Sequence, residues 1–509
     1  MVISLGWIVL SFGIYLLAMI LVGVYSMRKN KSSADYFLGG RNLNGFVAAL
    51  SAQASDMSGW LLMGLPGSIY ALGTGQIWIA VGLFIGTVLN WLFISSRLRR
   101  YTIRAGNAVT LPQYFENRFH DKGRGLLLVS SLAILVFFLV YTASALSAGG
   151  QLFNTVFGLD YRVALTIGAL VILAYTLMGG FTAVCETDFI QGTIMLIALL
   201  TVPIVAFVLI GGDVSGAIAG HVGASNPAFL HPLSDGGAPI TAVSLISQIA
   251  WGLGYCGMPH ILVRFMAVKD EKELNKAKAV GISWVALSLL FACVIGVMGR
   301  AYLAEDLTAS GAQEKVFILM IIELFTKDMN LPIVAGIFLC GILAAIMSTA
   351  DSQLLVSASS VSEDIYHGFL RRKSSDKKAV WVGRVVVLVI AVLAYLIALN
   401  PNNSIMGLVS DAWAGLGAAF GPTVVLSLYW KRINRQGAIA GIAVGALAVL
   451  FWDYLPVFGG QTAGVATGLY SLVIGFALSL LAIVIVSLAT KAPSREMVRE
   501  FEDVQNKRV

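Results

Sequence analysis

Apolar runs of about twenty residues recur along the whole chain, separated by short polar stretches. A helix needs roughly 20 mainly apolar residues to cross a bilayer. The pattern therefore predicts membrane spans near 5–27, 46–70, 75–97, 125–153, 161–180, 188–211, 240–263, 280–303, 332–357, 380–399, 404–430, 437–457 and 464–490. These 13 helices make an all-α integral membrane protein, and an odd number puts its two ends on opposite sides. Residues 1–490 read as a single transmembrane domain and 491–509 as a polar tail expected to fray.

Composition supports the pattern. Charged residues make up only 12% of the chain and apolar residues 58%, with a mean hydropathy of +0.84, whereas soluble domains carry about 25% charged residues. The net charge of +7 does not point to nucleic acid, because the basic residues occupy the gaps between apolar runs and form no continuous face. Loops at 28–41, 97–124, 264–278, 371–384, 431–435 and 491–508 hold every Lys and Arg except Arg162, Arg300, Lys315 and Lys327. Positive charge collects on the cytoplasmic side of a membrane protein, so the N-terminus is expected outside and the C-terminus in the cytoplasm of a cell-membrane protein. The first run has no basic flank and exceeds a signal-peptide core, so it is expected to remain as a span.

Little else suggests chemistry. Cys185, Cys256, Cys293 and Cys340 lie in or beside apolar runs without paired spacing, which predicts free thiols. The histidines are scattered, and no nucleotide loop, hydrolase motif or nucleophile–base pair is visible. The sequence therefore implies neither an enzyme nor a resident cofactor, and nothing in it marks an obligate protein partner. Residues 314–325 predict a short amphipathic helix across an outer mouth. Gly437, Gly441 and Gly445 form a small-residue packing face, and Trp78 and Trp452 read as interface anchors.

Two spans break the pattern. Residues 51–67 (SAQASDMSGWLLMGLPG) are small and polar around Asp56, and a carboxylate near mid-bilayer marks a pathway or site. Ser55, Ser58 and Gly59 weaken the helix there. Residues 251–260 (WGLGYCGMPH) interrupt the seventh span with three glycines and Pro259. Broken helices at corresponding positions in two halves point to a transporter's binding site. A third segment, residues 343–355 (LAAIMSTADSQLL), sets Ala345, Ser348, Thr349 and Ser352 on one helical face beside Asp351. Hydroxyls and a carboxylate there suit a hard cation. Each feature alone is ordinary in a membrane helix; together they predict a site.

These runs resemble the sodium/solute symporter family, and within it the bacterial sodium/proline symporters. The matching segments are YFLGGRNL (36–43), SDMSGWLLMGLPG, GGFTAVCETDFIQG (179–192), residues 251–267, AAIMSTADSQLLV and GLVSDAWAGLGAAFGP (407–422). The resemblance implies a leucine-transporter-type 5+5 inverted repeat, with 46–211 as the first repeat, 240–430 as the second and two accessory helices over 437–490. It implies uptake of L-proline coupled to sodium by alternating access. Sodium is placed at the carbonyls of Ala54, Met57 and Ala345 and the hydroxyls of Ser348 and Thr349, with Asp56 required for coupling. Proline is placed near Ser58, Gly59 and Trp60, with Tyr141, Trp251, Tyr255 and Pro259 around the ring. Asp188, Asp351 and Ser352 resemble a further sodium position of sialic-acid relatives. Cys256 and Met258 depart from relatives that carry phenylalanine and glutamine. The alternative cargo is another small organic solute, such as an amino acid, a sugar, sialic acid or pantothenate. A channel lacks its filter loop here, and a sensor lacks its signalling domain.

Overall fold

The computed structural model describes residues 2–27, 33–177, 180–220, 226–370, 376–401 and 403–507. The basic loops at 28–41, 371–384 and 491–508, the segment 179–192 and the loop 212–239 lie partly outside the described residues. In chain order the α-helices are α1 (Val2–Met27), α2 (Ser33–Leu38), α3 (Gly45–Asp56), α4 (Leu65–Leu72), α5 (Ile77–Leu89), α6 (Ser95–Arg104) and α7 (Leu111–Arg118). There follow α8 (Gly125–Phe157), α9 (Tyr161–Thr176), α10 (Phe181–Leu209), α11 (Val214–Ala219), α12 (Ala242–Ile249), α13 (Pro259–Ala267) and α14 (Glu271–Tyr302). The last are α15 (Val316–Ile321), α16 (Pro332–Ser359), α17 (Asp376–Ala398), α18 (Ile405–Tyr429), α19 (Arg435–Tyr454), α20 (Ala463–Thr467), α21 (Ser471–Ala489) and α22 (Arg495–Gln505). Two short hairpins, Ser234–Asp235 with Ala238–Pro239 and Pro456–Phe458 with Gln461–Thr462, and an isolated bridge between Leu43 and Val268 are the β-structure among the described residues.

Ten of the described helices are long and apolar enough to cross a membrane. The other three expected spans are the two interrupted ones and α9, whose apolar stretch Tyr161–Ala174 is shorter. Helix starts follow their caps: Asn44, Thr110, Asp270, Ser404, Asn434 and Ser494 each accept an amide hydrogen from the first turn of the following helix, satisfying donors that a helix end leaves free. The Asp270 cap begins α14 nine residues before the apolar run expected at 280.

Burial sorts the helices into centre and rim. In α16 and α18, 83% of the most apolar stretch is buried, against 28% in α1, α17 and α21. The buried pair carries small and hydroxylated residues, and the rim carries exposed Leu, Val and Ile suited to lipid. The glycine face of α19 packs as the spacing predicts: a Cβ on Gly441 would stand 2.3 Å from the Ile483 side chain of α21, and one on Gly445 2.2 Å from the Ala418 carbonyl of α18. Overpacking of this kind costs roughly 1–3 kcal/mol. Gly441→Val is expected to lower the thermal unfolding midpoint in detergent by several degrees, and an unchanged midpoint would refute this packing.

Two expectations are corrected. The tail does not fray: α22 turns Met497, Phe501 and Val504 inward, and Glu500 lies 3.0 Å from His120 while Asp503 pairs with Arg104 at 3.3 Å. Residues 313–328 are helical, with Phe317, Ile318, Met320, Ile321, Leu324 and Phe325 buried against the bundle and Lys327 and Asp328 exposed. Glu314 anchors this segment, accepting from the Ser404 hydroxyl (2.8 Å) and the amides of Ile405 and Met406 (both 3.0 Å) at the N-terminus of α18, where a carboxylate meets the positive end of the helix dipole. The other correction is Arg264, which is no loop residue; it is 1% exposed within α13.

Candidate functional site

The site begins where α3 stops. Met57 makes the last regular bond, its amide donating to Gln53 O at 2.8 Å, and then leaves helical geometry with φ −89° and ψ 80°. In an unbroken helix the Ser58 amide would donate to Ala54 O. Here it donates to Asp56 O at 3.1 Å, which releases the Ala54 carbonyl. Unwound backbone at membrane depth survives only where protein or a cavity shields it, and every residue from Ala48 to Gly67 is buried.

The released carbonyl faces α16. Ser348 donates to Ala54 O at 2.8 Å and lies 3.1 Å from Ala345 O, and Thr349 reaches Ala54 O at 3.4 Å. Four oxygens from two helices therefore converge in a fully buried spot. Each hydroxyl can turn its lone pairs inward when a cation replaces the hydrogen bond, and hard cations take such oxygen donors. Met57 sits at the break with its sulfur 3.2 Å from the Ser288 hydroxyl.

On the other side of the break, side chains hold the loosened turn. Asp56 O accepts from the Trp60 indole at 2.8 Å and the Tyr141 hydroxyl at 3.4 Å. Tyr255 donates to Asp56 Oδ2 at 2.7 Å, while Asp56 Oδ1 is buried without a hydrogen-bond partner among the described residues. Trp60 N lies 3.4 Å from Ser58 Oγ, and Gly59 lets the chain pass Ala148, whose Cβ would be 2.8 Å from a Cβ there. The structure thus brings Asp56, Ser58, Gly59, Trp60, Tyr141 and Tyr255 together.

Tyr255 arrives from the second break. After α12 the chain tightens into a 3₁₀ run, Ala250–Gly257, and Met258 is extended (φ −86°, ψ 104°) before Pro259 opens α13. Proline has no amide hydrogen and suits the first helical turn. Carbonyls freed by the change find side chains: Trp413 Nε1 donates to Trp251 O at 2.8 Å, and Asn90 Nδ2 to Tyr255 O at 3.1 Å. Glycine is needed at 254, where a Cβ would lie 2.0 Å from the Trp413 indole.

Two of the expected substrate residues stand apart from this web. Trp251 stacks with Tyr470 (5.2 Å between centroids) and Trp413 (6.4 Å), forming an aromatic layer to which Tyr470, just before α21, contributes. Pro259 lines a narrow cleft together with Phe37, Thr110, Arg264, Ser352 and Ser360. Cys256 points away, lining an apolar groove with Gly86 and Phe476.

One turn from Ser348 lies a second polar cluster. Asp188 Oδ2 accepts from Ser51 at 2.6 Å and Ser55 at 3.0 Å, and Ser55 meets Ser352 at 2.8 Å. The expected further sodium position is only partly assembled: Asp188 and Ser352 do meet, but around the guanidinium of Arg264, 3.3 Å and 2.6 Å away respectively, whereas Asp351 pairs with Thr176. Sequence reasoning missed Arg264. The available signal was Asp188 itself, since a buried carboxylate requires a partner. On the cleft-bearing face, outside the spans, Arg41 donates to Met266 O at 2.6 Å and Ala108 O at 2.8 Å; burial and then the nearby Arg99 lower its pKa to about 10.

Residues 36–445 match a family model described as the sodium:solute symporter family. The chain is 48% identical over 496 residues to the osmoregulated proline transporter OpuE of Bacillus subtilis (strain 168), covering 97% of each. It is 44% identical over 498 residues to the sodium/proline symporter of Escherichia coli (strain K12), covering 97% of this chain and 95% of that one. Among solved structures, a Na+-coupled sialic acid symporter in a substrate-bound outward-open state superposes with a TM-score of 0.76 at 22% identity, covering 96% of this chain and 99% of that one. Mhp1, a nucleobase-cation-symport-1 family transporter in a closed conformation, gives 0.53 at 16% identity, covering 93% and 99%.

Proposed function

The chain belongs to the sodium:solute symporter family, and we propose that it couples inward sodium movement to the uptake of L-proline by alternating access. It is a multi-pass membrane transporter. Its relatives at 44–48% identity over nearly their whole length carry proline in their names, and their cargo is the reading the site supports best. The single observation that carries the mechanism is the Ala54 carbonyl, released by the break and turned toward Ser348 and Thr349.

In this reading sodium binds between Ala54, Met57, Ala345, Ser348 and Thr349. Proline sits against Ser58, Gly59 and Trp60 with Tyr141 and Tyr255 over it; Trp251 closes one side and Pro259 borders the way out. The loosened backbone offers amides to the substrate carboxylate, and aromatic faces suit its ring and ammonium. Residues 46–211 and 240–430 act as the two repeats that rock about the site, with 437–490 as accessory helices. The face bearing α2, α7, α22 and the cleft is cytoplasmic, with the N-terminus outside, in keeping with the charge of the loops. We assign the protein no catalysis and no resident cofactor.

One sodium ion drives useful accumulation. A 100 mV inside-negative potential supplies about 2.3 kcal/mol per charge and a tenfold sodium gradient about 1.4 kcal/mol. Their sum supports a proline gradient of several hundredfold. Proline carries no net charge, so the cycle moves charge. Purified protein in proteoliposomes is expected to accumulate labelled proline only with sodium outside, and faster under an imposed inside-negative potential. Uptake indifferent to potential, or displaced better by another solute than by unlabelled proline, would sink the reading.

A further inference from the structure

The Asp188–Arg264 pair has no role in the site just described, yet it touches the same helices. Ser55 follows Ala54 directly on α3, and Ser352 lies one turn beyond Ser348 on α16. Both hydroxyls belong to the Asp188 cluster. The guanidinium of Arg264 also donates to Ser51 at 3.1 Å and to His260 O at 2.7 Å, and rests over the Phe181 ring at 5.1 Å. Asp188 is 0% exposed and Arg264 1%. A carboxylate in such surroundings needs a positive partner.

A symporter meets this requirement twice per cycle, once with the coupling cation aboard and once empty. We propose that Arg264 is the built-in counter-ion of Asp188 for the empty carrier, standing in for the cation after sodium leaves so that the unloaded protein can return across the membrane. The inference rests on the sodium-coupled reading above. While sodium is bound beside Ala54, its charge and that of Arg264 share the field of Asp188 and repel each other. When sodium departs, Arg264 alone balances the carboxylate, and no uncompensated charge is left buried among α3, α10, α13 and α16. Arg264 is a positioning residue, since it acts through Asp188 and not on the substrate. Its place on the wall of the cleft puts the exchange of partners on the release side.

The test separates the two halves of the cycle. Exchange of internal for external proline, with saturating sodium on both sides, never requires the empty carrier to move, whereas net uptake does. In proteoliposomes Arg264→Gln is expected to keep exchange within about twofold of the parent while net uptake falls tenfold or more. Its half-saturating sodium concentration should fall several-fold, because a competing positive charge has gone. Arg264→Lys should restore net uptake in part. The double variant Asp188→Asn with Arg264→Gln leaves no charge unpaired and should recover net uptake relative to Arg264→Gln. If Arg264→Gln does not reach the membrane, the double variant carries the test alone, with net uptake expected within about threefold of the parent. Equal loss of exchange and net uptake, an unchanged or higher sodium requirement, or a double variant as impaired as the single one would overturn the proposal. A parent protein without sodium-dependent proline uptake would instead sink the function from which the proposal starts.

Discussion

Asp56→Asn is expected to lower sodium-driven proline uptake more than a hundredfold while leaving the protein folded and in the membrane. Asparagine keeps the shape of the side chain, and its carbonyl oxygen can still accept the Tyr255 hydroxyl that now lies 2.7 Å from Oδ2. The turn at the break is held mainly through the Asp56 backbone carbonyl, which the substitution does not alter. What disappears is charge. Oδ1 is buried with no hydrogen-bond partner among the described residues, and a carboxylate so placed stays ionised only opposite a cation and otherwise takes up a proton. Under the proposed function that cation would be sodium or the ammonium of the substrate. Loss of one member of such a buried pair costs about 3 kcal/mol or more, which is over two decades in affinity. Initial rates of uptake across a range of sodium concentrations, normalised to protein in the liposome, measure the effect. Accumulation at the parent level would show that Asp56 merely braces Tyr255.

Much of this arrangement could be read from the chain, because breaking a membrane helix needs residues that are conspicuous there. Asp56 with Ser55, Ser58 and Gly59, and Pro259 after a run of glycines, stand out against leucine and valine, and both breaks fall where those residues do. The hydroxyl face of α16 was legible for a similar reason: three- and four-residue spacing fixes which residues share a side, and that side proved to face the broken helix.

Features that depend on a partner far along the chain were not legible. Arg264 sits at the end of an apolar run, where a basic residue ordinarily meets lipid headgroups or water, and nothing local distinguishes it. Only the packing of α13 against α3, which itself packs on α10, carries it to Asp188. Trp413 and Tyr470 are missed as members of the aromatic layer because rings in membrane helices usually mark the interface. The tail was misread because its charges dominate its composition; Met497, Phe501 and Val504 form a stripe just wide enough to dock on α6 and α7, with Arg118 over the Phe501 ring at 5.6 Å.

Ser348→Ala and Thr349→Ala test the cation position directly, and the geometry ranks them. Ser348 contacts two carbonyls, at 2.8 Å and 3.1 Å, whereas Thr349 reaches only Ala54, at 3.4 Å. A hydroxyl in contact with a charged partner contributes about 1.5–3 kcal/mol. Ser348→Ala is therefore expected to raise the half-saturating sodium concentration tenfold to a hundredfold, and Thr349→Ala by less. At saturating sodium both should approach the parent rate, since neither hydroxyl touches Asp56, Trp60 or Tyr255. The direction matters as much as the size. Removing an oxygen donor must weaken sodium binding, whereas removing the Arg264 charge one turn away must strengthen it, and a general loosening of α16 against α3 cannot do both. If both alanine variants take up proline at the parent's sodium concentration, the contact between Ser348 and Ala54 is a hydrogen bond between two helices and nothing more.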